Sequence, residues 1–181
     1  MRATGIVRRI DDLGRIVIPK EIRRVLRIRE GDSMEIYTDA EGEIVLKKYS
    51  PIGELSNLAI QFADSIYGNC GQITVVTDKD SVIVVSGTNK KHLEGKKISK
   101  RLENILDERR LVHNPGGKQF INVVEAGDFE ENEQIISPVI CDVDIIGGIV
   151  IIGKKPDSKL TNVEENLAIL ASDFLGRRME V

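Results

Sequence analysis

Sixteen apolar side chains stand between Ile6 and Leu46, in an N-terminal stretch of about fifty residues that holds no cysteine and no histidine. A segment of that size is marginal alone, because a small fold leaves much of its apolar surface in water. Disulfides or a structural metal usually relieve the problem, and the residues for either are missing. A homodimer of two intertwined copies sharing one core is the economical solution, so the N-terminal fold is expected to require a second chain.

Local signals divide this stretch into short pieces. Thr4–Ile10 and Arg15–Ile18 read as strands on either side of an Asp11–Gly14 turn. Pro19 ends the second strand and suits the first turn of a helix. Lys20–Leu26 then places Ile22, Val25 and Leu26 on one edge and leaves Arg23, Arg24 and Arg27 pointing away from it. Glu30–Asp32 is a turn, and Met34–Thr38 with Glu43–Lys48 reads as a hairpin around Asp39–Gly42.

Charge is distributed unevenly. The 181 residues carry a net charge of −3, which alone argues against a nucleic-acid partner. Yet residues 1–29 hold nine Lys/Arg against three acids, a local balance of +6, and the remaining residues sum to −9. Such asymmetry fits either an anionic partner at one end or a solvated basic face.

Ser50–Pro51 reads as the boundary, giving an N-terminal domain over 1–50 and a second over 51–181. Beyond it the pattern predicts a helix over Ile52–Tyr67, strands over Gln72–Thr77 and Ser81–Ser86, and a helix over Ile98–Leu111. A strand over Gln119–Val124, a hairpin of Glu133–Ile140 with Ile145–Ile152, and a helix over Val163–Arg178 complete the chain. That order makes an α+β domain with an antiparallel sheet. The apolar stripes Ile52, Leu55, Ala59, Phe62, Ile66 and Val163, Leu167, Leu170, Phe174 are expected to cover the sheet. Off those stripes lie Leu58 and Ile60 on the first helix and Ala168, Ile169 and Leu175 on the last. These are expected at an interface, where pairing of the two helices with their symmetry mates would build a four-helix bundle. Leu55, Leu58, Phe62, Leu167, Leu170, Phe174 and Leu175, together with Val17 in the N-terminal core, are the candidate oligomer-interface residues. A dimer whose helices only cap their own sheets stands as the alternative to a tetramer.

The residues offer no catalytic set. Asp142-x-Asp144-x-x-Gly147 starts like a calcium loop, but Ile146 and Gly153 occupy ligand positions, so a hairpin turn is the better reading. Gly87 to Gly95-Lys96 has the wrong spacing for a phosphate-binding loop, and Lys97 replaces the hydroxyl that would hold magnesium. Val85-Ser86-Gly87 lacks the first glycine of a nucleophile elbow. His92 and His113 stand far from any cysteine or aspartate cluster. Cys70 and Cys141 read as small buried hydrophobes, and Asp128, Glu130, Glu131 and Glu133 as a solvated loop. Neither a metal nor another cofactor is implied. Residues 1–20 show no apolar signal segment and no apolar run could span a bilayer, so a cytoplasmic chain with no membrane partner is expected.

Helix-turn-helix readers need two consecutive helices, zinc fingers need Cys/His pairs, and single-strand binders need aromatic platforms. None fits, which leaves a β-rich dimer with arginines at strand ends. The stretch "TGIVRRIDDLGRIVIPKEIRRVLRIREGDSMEIY" resembles the AbrB family of bacterial transition-state regulators, through Gly5, Arg8, Asp11, Gly14-Arg15, Ile18-Pro19, Arg23-Arg24, Leu26 and Gly31-Asp32. The resemblance implies an intertwined swapped-hairpin β-barrel that binds double-stranded DNA through Arg8, Arg15, Arg23 and Arg24, with Arg9 as an addition. Some antitoxins share that fold. Taken whole, the chain is similar to the SpoVT family of stage V sporulation regulators of endospore-forming bacteria. "IGELSNLAIQFADSIY" and "ISPVICDVDIIGGIVIIGKK" suit the GAF domain that the family carries in its second half. The resemblance implies an activator and repressor of transcription on the forespore nucleoid. It leaves room for a small-molecule effector, for which no cyclic-nucleotide or metal signature is present.

Overall fold

Chain contacts divide the protein into two units, Met1–Tyr49 and Ser50–Val181. The computed structural model describes residues 5–115, 119–125 and 132–179.

Two turns of the same design shape the first unit. Asp11 and Asp39 each begin a D-x-x-G sequence, and each carboxylate accepts from the backbone N–H groups two and four residues on, Leu13 and Arg15 in one case and Glu41 and Glu43 in the other. Gly14 and Gly42 take the left-handed backbone (φ 76° and 83°) that closes both turns. The second turn joins β1 (Met34–Thr38) to β2 (Ile44–Lys48) in an antiparallel ladder. Around the first, Asp11 and Arg15 make the corresponding backbone bond, yet residues 5–10 and 15–18 form no strand, contrary to the sequence reading. Beyond the turn, no strand is formed by the described residues of these arms.

Between the turns stands α1 (Lys20–Val25), with Pro19 at its N-terminus. Its C-terminus closes on Arg27, whose left-handed backbone lets the Ile28 N–H reach the Arg23 carbonyl. Lys48 Nζ donates to the Arg27 carbonyl (3.2 Å) and pairs with Asp32 (3.0 Å), tying that helix end to β2. No residue of α1 is buried.

In the second unit a five-stranded antiparallel sheet runs β4-β3-β7-β6-β5. Its strands are β3 (Ile73–Asp78), β4 (Val82–Ser86), β5 (Val112–Asn114), β6 (Gln134–Cys141) and β7 (Asp144–Ile152). Both faces are covered, which explains why β7 does not alternate apolar with polar residues: Ile145, Val150 and Ile152 face one core, while Ile146, Ile149 and Ile151 face the other. On the first side lie α4 (Lys90–Leu93), α5 (Lys100–Asp107), the connection between them and the segment 119–124, which contribute Leu93, Leu102, Leu106, Ile98 and Val123. On the second lie α2 (Pro51–Glu54), α3 (Ser56–Cys70) and α6 (Asn162–Arg177).

Several expectations change here. The helix expected over Ile52–Tyr67 is two: the Ser50 hydroxyl caps α2 at Gly53, and the chain kinks at Leu55. The helix expected over Ile98–Leu111 is shorter, because Ser99 caps α5 and Ile98 bridges Val124. Residues 119–123 are irregular rather than a strand; the Gln134 side chain serves both the N–H and the carbonyl of Ile121 in place of a ladder. Glu133 is buried and accepts from Leu160 N (2.6 Å), so it is no solvated loop residue. Asp128, Glu130 and Glu131 lie outside the described residues.

α6 presents the opposite face from the one expected. Ala168, Ala171, Ser172, Leu175 and Gly176 are buried, whereas Val163, Leu170 and Phe174 are exposed. A Cβ on Gly176 would stand 2.0 Å from the Ile140 carbonyl oxygen, so the helix lies almost on the strand and only small side chains fit beneath it. Leu175, expected at an interface, is fully buried in its own domain's core.

Candidate nucleic-acid interface

Arg8, Arg9, Arg15, Arg23 and Arg24 are all exposed, and they fall in three local settings. Arg8 and Arg9 sit on the first hairpin arm, where Arg8 Nη1 donates to the Val7 carbonyl (3.0 Å). Arg15 follows the turn directly. Its N–H and its Nε both reach the Asp11 carboxylate, at 2.8 Å each, so the aspartate that builds the turn also orients the guanidinium. The backbone N–H of Arg15, followed by its guanidinium, holds the Asp11 carboxyl below its usual range. Arg23 and Arg24 stand on the outer face of the last turn of α1, where positive charge also complements the helix C-terminus. What the sequence reading missed is the role of Asp11, although the repeated D-x-x-G pattern carries the signal.

Apolar residues surround these cations without covering one another. Val7, Ile10, Leu13, Val17, Val25 and Ile44 are each more than 60% exposed, and among the described residues of the first unit only Pro19 is buried. An apolar groove of about 240 Å³ runs along Ile16–Pro19, Ile22, Leu26, Ile28, Met34 and Leu46, with Ile6 and Arg8 at its side. The groove is apolar throughout except for Arg8.

The second unit carries its own uncovered face. Phe62 on α3 and Phe174 on α6 meet with ring centroids 4.9 Å apart, tilted at 48°. Around them Ile60, Val163, Ile169 and Leu170 are exposed, while Leu55, Leu58, Phe62 and Leu167 are half-buried against the core beneath. Away from this face, Arg101, Ile105, Val112, Asn114 and Ile121 line a groove of about 400 Å³ between α5 and the edge strand β5. The buried side-chain amide of Asn114 makes no hydrogen bond among the described residues. No group of three or more His, Cys, Asp or Glu among the described residues could hold a metal ion, and no described helix is long and apolar enough to cross a membrane.

Comparison with known proteins places both units. Residues 54–180 match the family model "Stage V sporulation protein T C-terminal, transcription factor". Residues 7–54 match "Antidote-toxin recognition MazE, bacterial antitoxin". Stage V sporulation protein T of Bacillus subtilis is 47% identical over 180 residues, which is 99% of both chains. Transition state regulatory protein AbrB of the same organism is 61% identical over 51 residues, covering 28% of this chain and 52% of AbrB. The GAF domain of an Acinetobacter phosphoenolpyruvate-protein phosphotransferase matches 72% of this chain and 82% of its own, at a TM-score of 0.56 and 10% identity, a likeness of fold. An AbrB-like N-terminal unit and a GAF-like C-terminal unit thus follow one another in this α+β protein, and the chain belongs to the stage V sporulation protein T family.

Proposed function

We propose that the protein is a transcription regulator of spore development that binds duplex DNA through its N-terminal unit, over about residues 1–50, and assembles through the remainder, 51–181. The observation that carries this reading is the 47% identity to the B. subtilis sporulation protein over 99% of the chain, with an AbrB-like segment over the 28% of the chain that bears these five arginines. Two copies of that segment intertwine, and each closes the other's apolar groove. Arg8, Arg9, Arg15, Arg23 and Arg24 of both copies then face the phosphates of the duplex. In the C-terminal unit the face around Phe62, Leu170 and Phe174 packs against a second copy, and pairing across different N-terminal dimers gives a tetramer. A small polar effector, if one acts, has the groove at Asn114 available to it. Nothing in this reading requires catalysis, and the protein works in the cytoplasm, on the forespore nucleoid.

Mobility shift on duplex DNA with salt titration tests the core of the proposal. Binding should weaken with salt at a log–log slope of about −0.9 per phosphate neutralised. Arg15→Ala and Arg24→Ala should each abolish most binding while circular dichroism and oligomer size stay as in the wild type. Normal binding by both variants would remove these residues from the interface. Toxin neutralisation is a second reading, supported by the antitoxin model over residues 7–54. It predicts a tight protein partner and indifference to duplex DNA under the same conditions.

A further inference from the structure

The second unit is acidic, with fifteen Lys/Arg against twenty Asp/Glu, a net −5. Twelve of its residues run the other way. Residues 90–101 hold Lys90, Lys91, Lys96, Lys97, Lys100 and Arg101 against Glu94 alone, a local +5, so the rest of the unit sums to −10.

The fold fixes these charges on the outside. Leu93, Ile98 and Leu102 are fully buried and pin the segment to the sheet every four or five residues. The backbone is held between the pins as well: Gly95 N donates to the Val82 carbonyl, Val82 N to the Lys96 carbonyl, and Ile98 N to the Asp80 carbonyl. All six cations, and His92 with them, are left exposed. Neighbouring carboxylates neutralise part of the charge. Lys90 pairs with Glu94 at 3.5 Å, Lys100 pairs with the buried Glu103 at 2.8 Å, and Glu125 accepts from the Lys100 N–H. Lys91 and Lys96 make no ion pair among the described residues.

We propose that this lysine-rich face of the GAF-like unit is a second, sequence-independent contact for the phosphate backbone of duplex DNA. The chemistry of the patch selects among polyanions. Its apolar residues all point inward, so it has nothing to insert into a bilayer. It contains no Phe, Tyr or Trp, and the single imidazole of His92 is too little to stack successive bases of a single strand. Five of its six cations are lysines, point charges that meet phosphates without the planar fork that reads guanine edges. A duplex backbone is what remains. Joined to the N-terminal reader in one chain, the patch adds affinity through effective concentration and adds no base preference.

This inference rests on the DNA-binding reading above, and the test separates the two. The full chain, its Lys91→Gln/Lys96→Gln/Lys97→Gln variant and Arg15→Ala are compared by fluorescence anisotropy on a long duplex across a salt series. The lysine variant should retain the wild-type oligomer and melting temperature. It should lose about tenfold in affinity at about 0.1 M salt, with the slope shallower by about 2 to 3 for three phosphates lost. Its discrimination between specific and random sequence should be unchanged. A charge-reversed Lys91→Glu/Lys96→Glu pair should weaken binding further. An unchanged slope in both variants, while Arg15→Ala still loses binding, overturns the second contact and spares the first. Failure of the wild type to bind any duplex overturns both. Loss of binding to phosphatidylglycerol vesicles, with duplex binding intact, assigns the patch to a membrane surface and overturns the proposal.

Discussion

Asp11 puts two effects in opposition. It lies beside Arg15, so plain electrostatics predicts that removing its charge strengthens DNA binding. But the same carboxylate builds the turn and holds the guanidinium in place. A loose arginine must be ordered on binding, which costs about 0.5–1.5 kcal/mol for each side chain immobilised. With two copies per dimer, orientation should win: Asp11→Ala is expected to weaken duplex binding by about tenfold, measured by anisotropy, and tighter binding would show that only charge matters. A second carboxylate gives a pH signature. Glu164 and Thr161 cap α6 reciprocally, the Thr161 N–H donating to Glu164 at 2.8 Å and the hydroxyl at 2.7 Å. Burial alone would raise the Glu164 carboxyl, but these Thr161 bonds overcome it and hold the group below its ordinary value. A depressed value stabilises the fold above the unfolded carboxylate range, and the contribution is lost as pH falls through the folded value. Glu164→Gln keeps an acceptor without the charge, so its melting temperature should fall less than the wild type's on acidification. Glu164→Ala should cost about 1 kcal/mol near neutral pH.

The last helix shows why some elements are legible in a sequence and their orientation is not. Its limits follow from apolar periodicity, but its buried face does not, because Gly176 lets it settle onto β6 and reserves that face for Ala168, Ala171 and Ser172. Counting large hydrophobes therefore selects Val163, Leu170 and Phe174, which face away from the sheet. The arms 5–10 and 15–18 carry strand propensity yet form no strand in the single chain; on the shared-core proposal the strand waits for a second copy. The charge asymmetry of residues 1–29 is legible in local sequence, but charge alone leaves a solvated basic face as open as an anionic partner, and the choice of Arg8, Arg15, Arg23 and Arg24 comes from the family resemblance. Asp11 was legible as the start of a turn, but its hold on the Arg15 guanidinium was not, because that contact depends on the turn's three-dimensional closure. These orientations separate two leucines. Leu175→Ala empties a fully buried position and should destabilise the C-terminal unit by about 2–5 kcal/mol. Leu170→Ala leaves the unit's own core intact and weakens its self-association, so sedimentation of the full chain should show a smaller assembly, and the melting temperature of that unit should fall at high protein concentration and match the wild type's at low. The reverse pattern would invert the helix.

At the scale of the whole molecule the decisive residue is Val17. In the single chain it is 71% exposed, on an arm without a ladder and beside the apolar groove. A substitution at such a surface position ordinarily changes stability by less than about 0.5 kcal/mol. If two chains share one core, the same side chain is central to it, and a buried unpaired charge there costs several kcal/mol. Val17→Asp therefore gives opposite outcomes on the two accounts. On the shared-core account the N-terminal transition disappears from the calorimetric trace of the full chain, duplex binding is lost, and the C-terminal transition stays where it was, because that unit has separate cores. The wild-type N-terminal transition should also move to higher temperature with protein concentration, as mass action requires when folding and association are one event. A C-terminal transition that also climbs with concentration, and stops doing so in Leu170→Glu, would place the second contact on the Phe62–Phe174 face. A silent Val17→Asp together with a concentration-independent N-terminal melt would mean that the first fifty residues fold as a monomer. Their exposed isoleucines and valines would then need some other partner, and the arrangement of arginines around a two-fold barrel would have to be abandoned.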